Sequence, residues 1–419
     1  MLSAADLDPV ALDPAAAGFD PADPRFLADP YPVFGRLRAL GPVLPFGPRG
    51  VYLLPRYAEV NAALRDRRLG RDFKHLYTEE EFGQPAPDDR WPRWQLSERW
   101  SLLNLEPPDH TRLRRLITKV FTARSVAALR PRIADIAARR LDEAVGNSGA
   151  AAGFDLIGDY AQPFSVAVIC TLLGVPLPDG PKLLEWSHAI VKMYEFSTSD
   201  DERGRAEIAA DEFIDRVRAL IAERRTDPRE DLITELVQVS DSGDRLTENE
   251  IVSTVIVLLN AGHEATVNTL GNGMRAMMLH PAQWARVTSG EVGTAAAVEE
   301  LIRWDAPLQL FERWVLHDGV ELGGVEFRRG DRVAMMFGSA NRDPDRFPDP
   351  DAFDAGRGDA THIGFGGGLH FCIGAPLARL ELEVSLDLLR RYPDLHLTET
   401  PVYQPYFVIR GLSALRLQP

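Results

Sequence analysis

Cys372 lies in the strongest chemical pattern of the chain, a glycine-rich run directly in front of a predicted helix. The run consists of Phe365, Gly366, Gly367, Gly368, Leu369, His370, Phe371, Cys372, Ile373 and Gly374. A thiolate at the first turn of a helix is stabilised by the helix dipole and by free backbone N–H groups. Glycines in front of it allow a tight loop whose backbone lies flat against a large planar cofactor. The pattern therefore predicts a cofactor-binding thiolate.

The chain has one other cysteine, Cys170, within the mostly apolar run Val166–Leu173. A free cysteine among apolar residues is usually a buried core side chain, and we expect this of Cys170. Two isolated cysteines provide neither a disulfide framework nor a Cys-x-x-Cys motif. We therefore expect a reducing, cytoplasmic location.

A second pattern predicts one long helix that starts after Thr247 and ends near His280. Thr247 and Glu250 form a capping box, and Pro281 stops the helix. The first half of the helix is apolar on nearly every side, which predicts burial. A polar residue nevertheless recurs every four positions, at Asn260, Glu264, Asn268 and Asn272. We expect neighbouring helices to satisfy the last two asparagines, and we expect Glu264 to be functional.

Most of the remaining chain predicts helices, because apolar residues recur at three- and four-residue spacing. The clearest helices are Tyr31–Leu40, Asp109–Thr122, Pro131–Val145, Gln162–Leu173, Glu202–Arg224 and Gly374–Arg391. Strands are expected to be few and peripheral, at Val320–Leu322, Val325–Phe327, Arg332–Phe337 and Gly411–Leu417, the first two forming a hairpin. Two long stretches without periodicity, Arg71–Pro108 and Ser339–Leu369, are expected to be functional loops.

The glycine-rich run resembles the haem-binding loop of the cytochrome P450 family, Phe-Gly-x-Gly-x-His-x-Cys-x-Gly. Three further motifs resemble that family in the same order along the chain. They are His110 to Arg114, Ala261 to Thr266, and Glu300-x-x-Arg303 with Arg357. The resemblance covers nearly the whole chain. It implies a mostly α fold with small β-sheets on one side, as a single domain over 1–419 with a long central helix over the haem. Residues 1–30 would form an extended N-terminal segment.

The resemblance implies that Cys372 is the axial ligand of the iron of haem b. The implied haem contacts are His110, Arg114, Ala261, Gly262, Arg313, Phe365, His370, Cys372 and Gly374. The four basic residues of this set would give the haem carboxylates charge-assisted hydrogen bonds. Glu300, Arg303 and Arg357 would form a structural triad, in which the loss of one partner leaves a buried charge unpaired at a cost of about 3–5 kcal/mol.

The implied reaction is the insertion of one oxygen atom from O2 into an organic molecule, with Glu264, Ala265 and Thr266 as the catalytic segment. The family usually has Thr after the acid, whereas this chain has Ala265 there. Thr266 is rotated by about 100° around the helix and cannot replace that hydroxyl. We therefore hypothesise that a polar substrate, or a water that it orders, completes proton delivery. Ala occupies the same position in related enzymes of bacterial macrolide biosynthesis.

Substrate contacts are assigned by family position alone. They are Trp94, Asn260, Leu308, Phe311, Tyr406 and Phe407. Asn260 is the most informative of them, since a polar residue in the haem pocket implies a substrate hydroxyl or carbonyl. The expected substrate is a small, polar-functionalised organic molecule.

The net charge of −15 makes nucleic acid and anionic membranes poor partners. No signal peptide or membrane anchor is evident. Since the chain contains no reductase pattern, electrons are expected from a ferredoxin or flavodoxin-type donor with its reductase. Arg112, Arg115 and Lys119 share one predicted helix face and could bind such a donor.

Other functions were weighed against these patterns. His263 and Glu264 begin like the zinc-protease motif His-Glu-x-x-His, but Val267 stands where the second histidine belongs. Gly364 to Gly366 begins like a dinucleotide loop but has Leu369 in place of the last glycine. A non-enzymatic haem carrier or sensor and a peroxide-driven peroxygenase remain as alternatives.

Overall fold

The computed structural model describes residues 2–86, 88–120, 123–148, 153–241 and 246–419. The α-helices in these ranges, named α1 to α17 in chain order, are Pro24–Ala28, Tyr31–Leu40, Tyr57–Arg65, Glu79–Phe82, Pro92–Arg99, Asp109–Val120, Ala123–Ala128, Arg130–Ser148, Gln162–Leu173, Gly180–Val191, Asp200–Thr226, Leu232–Asp241, Glu248–Leu279, Pro281–Thr288, Thr294–Trp304, Phe337–Ala340 and Ala375–Leu389. The predicted mostly helical architecture is confirmed.

Eleven short strands in the described ranges form three small sheets. The strands β1 to β11 are Leu2–Ser3, Leu44–Phe46, Val51–Leu54, Leu69–Gly70, Phe154–Asp155, Phe311–Val315, Val320–Leu322, Val325–Phe327, Arg332–Met335, His396–Leu397 and Arg416–Gln418. The largest sheet has the order β2-β3-β9-β6-β4, in which only β3 and β9 pair in parallel. The predicted hairpin is present as β7 and β8, with Leu322 opposite Val325.

Helix α13 is the axis of the fold. Its 32 residues span about 48 Å, and it begins with the predicted capping box of Thr247 and Glu250. Most of its side chains are buried, since α5, α9, α11 and α15 all pack against it. A helix held on so many sides is a rigid support for any group that its open positions face.

The structure corrects several element boundaries. The stretch 71–108 is not a plain loop, because it contains α4, capped by Thr78 and Glu81, and α5. The strand predicted from Arg332 ends at Met335 and is followed by α16, and the last strand is limited to Arg416–Gln418. These elements are too short for apolar periodicity to reveal them.

The N-terminal thirty residues are not extended throughout. Strand β1 pairs with β8, and α1 buries Phe26 in an aromatic cluster with Phe19 and Phe34. This segment is therefore packed onto the rest of the chain.

One stretch, Leu156–Leu173, is long and apolar enough to cross a membrane by composition. It comprises a π-helical turn followed by α9, and 67% of it is buried inside the protein. Its apolar surface is therefore used in the core, against α8 and α13.

Glu299 connects α15 to the region of the cysteine loop. Its carboxylate accepts hydrogen bonds from Arg379 Nε at 2.6 Å and Arg379 Nη2 at 3.0 Å, and it lies 2.9 Å from His362 Nε2. Burial alone would raise the pKa of Glu299, but His362 and Arg379 outweigh burial and lower the pKa to about 2. The ionised carboxylate thus ties α15 to α17, the helix that follows Cys372.

We expect Glu299→Gln to lower the free energy of unfolding by about 3 kcal/mol at pH 7, because the pKa of Glu299 lies below its ordinary value of 4.5. This contribution is fully present above pH 4.5 and is lost as the pH falls toward 2. Urea unfolding followed by circular dichroism should therefore show the difference from the parent shrinking below about pH 5. The exposed Glu326→Gln is the control. A difference that is independent of pH would contradict this role of the carboxylate.

Candidate active site

Cys372 lies at the end of a loop that depends on glycine. Gly366 and Gly368 have φ angles of +68° and +63°, and a Cβ on Gly368 would lie 2.1 Å from the carbonyl oxygen of Leu64. The Cys372 N–H donates to the carbonyl oxygen of Phe365 at 3.0 Å, which closes the loop. The loop therefore passes close to α3 and delivers Cys372 to the start of α17.

The groups around Cys372 can stabilise a thiolate, provided that the sulfur also has a cationic partner. Burial raises the pKa of the Cys372 thiol, whereas the N–H groups of Gly374 and Ala375 and the Arg114 guanidinium favour its ionised form. Arg114 also donates to the carbonyl oxygen of Phe371 at 2.7 Å. Because burial dominates, the thiolate needs a further positive group at the sulfur, such as a metal ion.

Cys170 is a contrasting case. It is fully buried in α9, and burial raises the pKa of its thiol to about 12. It is an apolar core residue, as its sequence context predicts.

Five basic side chains gather near Cys372, and we call them the cation cluster. They are Arg71, His110, Arg114, Arg313 and His370. The rings of His110 and His370 lie 4.4 Å apart between centroids. The structure thus brings together all four basic residues that the sequence assigned to haem carboxylates, and it adds Arg71, which the sequence gave no reason to select.

Glu106 is the acidic partner of the cation cluster, and sequence reasoning missed it. Its Oε1 lies 3.2 Å from His370 Nε2 and 3.7 Å from Arg313 Nη1, and it accepts the Arg71 backbone N–H at 2.6 Å. Burial opposes ionisation of Glu106, but these partners outweigh it and lower its pKa. Glu312 and Glu98 also lie near Arg71, so the acids of this region gather on the Arg71 side of the cluster.

Several donors of the cation cluster have no partner. Both ring nitrogens of the fully buried His110 and the Nη1 atom of Arg313 make no hydrogen bond. Burial and neighbouring positive charge lower the pKa of His110 to about 4 and that of Arg313 to about 9. Bound carboxylates would raise the pKa values of His110 and Arg313 again, so the cluster fits a ligand with two acidic groups.

Helix α13 presents a narrow open face within its buried length. Ala261 and Ala265, one turn apart, are exposed, whereas Asn260, His263 and Thr266 are buried. Small side chains leave room there for a flat ligand. Gly262 faces α9, since a Cβ on it would lie 3.4 Å from the Ile169 side chain.

Glu264 faces a polar cavity of about 210 Å3 instead of the open face of α13. The cavity is lined by His188, Val191, Lys192, Glu195, Glu264, Asn268, Gln404, Tyr406 and Ile409. Glu264 Oε1 has no hydrogen-bond partner and lies 3.4 Å from His188 Nε2. Burial raises the pKa of Glu264 to about 7, so near neutral pH this carboxyl group can hold or release a proton.

The two asparagines Asn268 and Asn272 of α13 have different surroundings. Asn268 lines the cavity with Glu264, and its side-chain amide lies beside Gly411 of the C-terminal loop. Asn272 is satisfied instead by loops, since its Nδ2 donates to the carbonyl oxygens of Asp305 and Arg410 at 3.2 Å each.

One wall of the cavity is fixed by Glu195. Its carboxylate accepts the backbone N–H groups of Phe407, Val408 and Ile409, each at 2.9 Å. This carboxylate holds the C-terminal loop against the segment between α10 and α11. Nothing in the sequence pattern indicated it.

The three residues of the predicted structural triad lie together, and we call them the brace. Glu300 and Arg303 are completely buried and make two hydrogen bonds of 2.7 and 2.8 Å, while Arg357 Nε lies 3.3 Å from Glu300 Oε2. Arg303 also donates to the carbonyl oxygens of Asn341 and Pro350. The brace therefore attaches α15 to the segment that leads to the cysteine loop.

The six residues predicted to contact substrate have different environments. Phe407 is buried among Phe19, Phe26 and Phe34 and is a core residue, which corrects that prediction. Tyr406 lines the cavity. Asn260 is buried with a partnerless Oδ1.

The other three substrate candidates are partly buried. Phe311 is the first residue of β6, and the Arg71 guanidinium lies 4.1 Å from its ring centroid. Leu308 precedes β6 and pairs with Ile409 of the C-terminal loop. Trp94 packs against the core and donates its backbone N–H to Glu207 at 2.9 Å.

Comparison with known proteins places this geometry in a family. The family model described as cytochrome P450 matches residues 73–289 and 294–401. The chain is 38% identical to cytochrome P450 monooxygenase PikC of Streptomyces venezuelae, over 98% of this chain and 94% of that protein. It is also 38% identical to 6-deoxyerythronolide B hydroxylase of Saccharopolyspora erythraea, over 93% of this chain and 96% of that protein.

The solved structures agree with the sequence comparisons. P450BioI in complex with hexadec-9Z-enoic acid ligated acyl carrier protein has a TM-score of 0.86 at 32% identity, covering 94% of this chain and 99% of that one. These similarities confirm the predicted fold class.

Proposed function

This chain belongs to the cytochrome P450 family and is a haem-thiolate monooxygenase, and we propose that Cys372 is the thiolate ligand of its haem b. The observation that carries the assignment is the position of Cys372, at a helix start beside the cation cluster. A haem would supply a positive iron for the Cys372 thiolate and two carboxylates for His110 and Arg313. The same proposal treats 1–419 as one monooxygenase domain.

When bound, the haem-thiolate group activates O2 for insertion of one oxygen atom into the substrate. The residues of the chain have the remaining tasks. Ala261 and Ala265 would leave room for the haem on the open face of α13, and the cation cluster would hold the haem carboxylates. Phe365 accepts the Cys372 N–H and so fixes the position of the sulfur, and the Gly374 N–H stabilises its ionised form.

Proton supply is assigned to Glu264, whose carboxyl group is mostly buried and which directly precedes Ala265 in α13. Ala265 provides no hydroxyl, and Thr266 is buried on another side of the helix. We assign the missing step to a hydroxyl or carbonyl of the substrate, or to a water that it holds. The partnerless Oδ1 of Asn260 is available to position such a group.

The proposed substrate is a small, oxygen-rich organic molecule. The polar lining of the cavity beside Glu264 supports this class, because an apolar guest would leave several side chains without partners. Relatives named for polyketide biosynthesis and for 6-deoxyerythronolide B point to the same chemistry. We therefore place this chain in the oxidation of polyketide-like compounds.

The proposed electron donor is a ferredoxin or flavodoxin-type protein with its reductase, acting in the cytoplasm. An open groove beside the cysteine loop is lined by His110, Thr111, Arg114, Arg115, Thr118 and Leu369. Phe371, directly before Cys372, is 41% exposed. A basic groove with one exposed aromatic ring suits an acidic redox protein.

Only part of the predicted basic face is available to this donor. Arg112 forms ion pairs with Glu250 and with Asp109, the latter at 3.4 Å, so it belongs to the interface between α6 and α13. The side chain of Lys119 lies outside the described residues. Arg115, which is exposed, is the best-placed member of the face.

Cys372→Ala should abolish the strongly red-shifted Soret band of the ferrous carbon monoxide complex, because this band requires thiolate ligation. Cys170→Ala is the matched control and should keep the band. Absorbance difference spectra of the two purified variants decide the matter. Loss of the band in Cys170→Ala but not in Cys372→Ala would overturn the proposed ligand.

Arg115→Glu should slow reduction of the ferric enzyme by the donor about fivefold at low ionic strength, because reversing a charge at the rim of an interface mainly lowers the association rate. Stopped-flow reduction should also show the parent rate falling as salt increases. Arg25→Glu, at a side chain 92% exposed on α1, is the control. Equal reduction rates for both variants and no effect of salt would exclude the groove as the binding site of the donor.

Ala265→Thr should restore coupling to a substrate analogue that lacks the relevant hydroxyl or carbonyl. With the parent enzyme, such an analogue should divert electrons to peroxide or water, and the ratio of product formed to NADPH consumed measures this. Ala261→Thr adds the same hydroxyl one turn earlier and should not restore coupling. Tight coupling of the parent enzyme with a wholly apolar substrate would contradict substrate-assisted proton delivery.

A further inference from the structure

Three side chains that can bind a metal ion meet where α10 crosses α13. Glu264 Oε1 lies 3.4 Å from His188 Nε2 and 3.9 Å from His263 Nε2, and one ligand atom from each residue lies within 4.8 Å of the other two. The two imidazole rings are 5.6 Å apart between centroids. Two histidines and one carboxylate are the donors that zinc prefers.

His263 has no partner to account for its burial. It is completely buried, and neither ring nitrogen makes a hydrogen bond. Burial and the nearby His188 lower the pKa of His263 to about 3, so the ring is neutral and has a lone pair to donate. An unsatisfied buried polar group costs free energy. This cost is relieved when a ligand binds the nitrogen.

The spacing suits a tetrahedral ion with small adjustments. Zinc–nitrogen and zinc–oxygen bonds of about 2.0–2.2 Å separate neighbouring ligand atoms by about 3.4 Å. The pair Glu264–His188 already has this separation, and His188, with 42% of its side chain exposed, can move. Because His188 and Glu264 both line the 210 Å3 cavity, the ion has a path from solvent and space for a water as fourth ligand.

The sequence contains one half of this site. His263 and Glu264 start a zinc-protease pattern that fails at Val267. His188, 75 positions before His263, supplies the missing histidine from another helix. No spacing rule connects the two helices, so only the folded chain brings the three donors together.

We propose that His188, His263 and Glu264 form a Zn2+ site that inhibits the enzyme. Bound zinc would fix α10 to α13 and would occupy the carboxylate of Glu264. This inhibitory effect rests on the proposed role of Glu264 in proton supply, whereas zinc binding does not.

The experiment uses haem-loaded full-length protein dialysed against micromolar ZnCl2. Metal analysis should find one zinc per chain, and zinc X-ray absorption should show imidazole nitrogen and carboxylate oxygen at about 2.0–2.2 Å. His188→Ala should weaken zinc binding by about tenfold or more, a loss of about 1.4 kcal/mol. His75→Ala, at an exposed histidine, should not change zinc binding. No stoichiometric zinc, or equal binding by both variants, would overturn the site.

Inhibition is measured separately, as product per NADPH with and without zinc. Zinc should lower this ratio in the parent and in His75→Ala but not in His188→Ala, each compared with its own zinc-free value. Zinc binding without any change in the ratio would overturn the inhibitory role. The carbon monoxide spectrum and zinc-free turnover test the monooxygenase assignment independently, so failure of the zinc site is distinguishable from failure of that assignment.

Discussion

The structure depends on buried charged groups that lie next to partners of opposite charge. Glu300 and Arg303 have no exposed side-chain surface, and their ion pair holds α15 against the segment before the cysteine loop. Such a pair is not a source of much net stability, because desolvation offsets its attraction, but removing one partner is costly. Cys372 is subject to the same constraint, since a thiolate in this position needs a positive partner. The architecture is therefore complete only when each buried charge has its counterpart.

Charged and polar groups are not paired to the same extent in all parts of the site. Around Glu300 every charge has a protein partner, and the arrangement is a fixed brace. Around Glu106 the basic groups outnumber the acids, and His110 retains two partnerless nitrogens. At Glu264 the partnerless oxygen lies on a cavity wall, and the partnerless Nε2 of His263 lies 3.9 Å from that oxygen. Of these three places, the one around Glu300 supports the structure, whereas the two with partnerless atoms are those for which we propose a ligand.

Sequence reasoning found the elements that are marked by a strong local pattern of residues. The capping box at Thr247 located α13, and the glycine-rich run located Cys372, because both patterns are contained within a few residues. Glu106, Arg71 and His188 were not found, since their importance comes from contacts over 30 to more than 250 positions. Phe407 was assigned to the substrate for the opposite reason. An aromatic residue in a loop has the same sequence signature whether its ring meets a ligand or three other phenylalanines.

The contact of Glu195 with the C-terminal loop makes two walls of the cavity move as one body. Displacement of the segment after α10 must carry residues 407–409 with it or leave three buried N–H donors unpaired, at about 1–3 kcal/mol each. Guests of different size are therefore accommodated by a joint displacement of both walls. The shape of the cavity is therefore a joint property of the two segments that Glu195 connects.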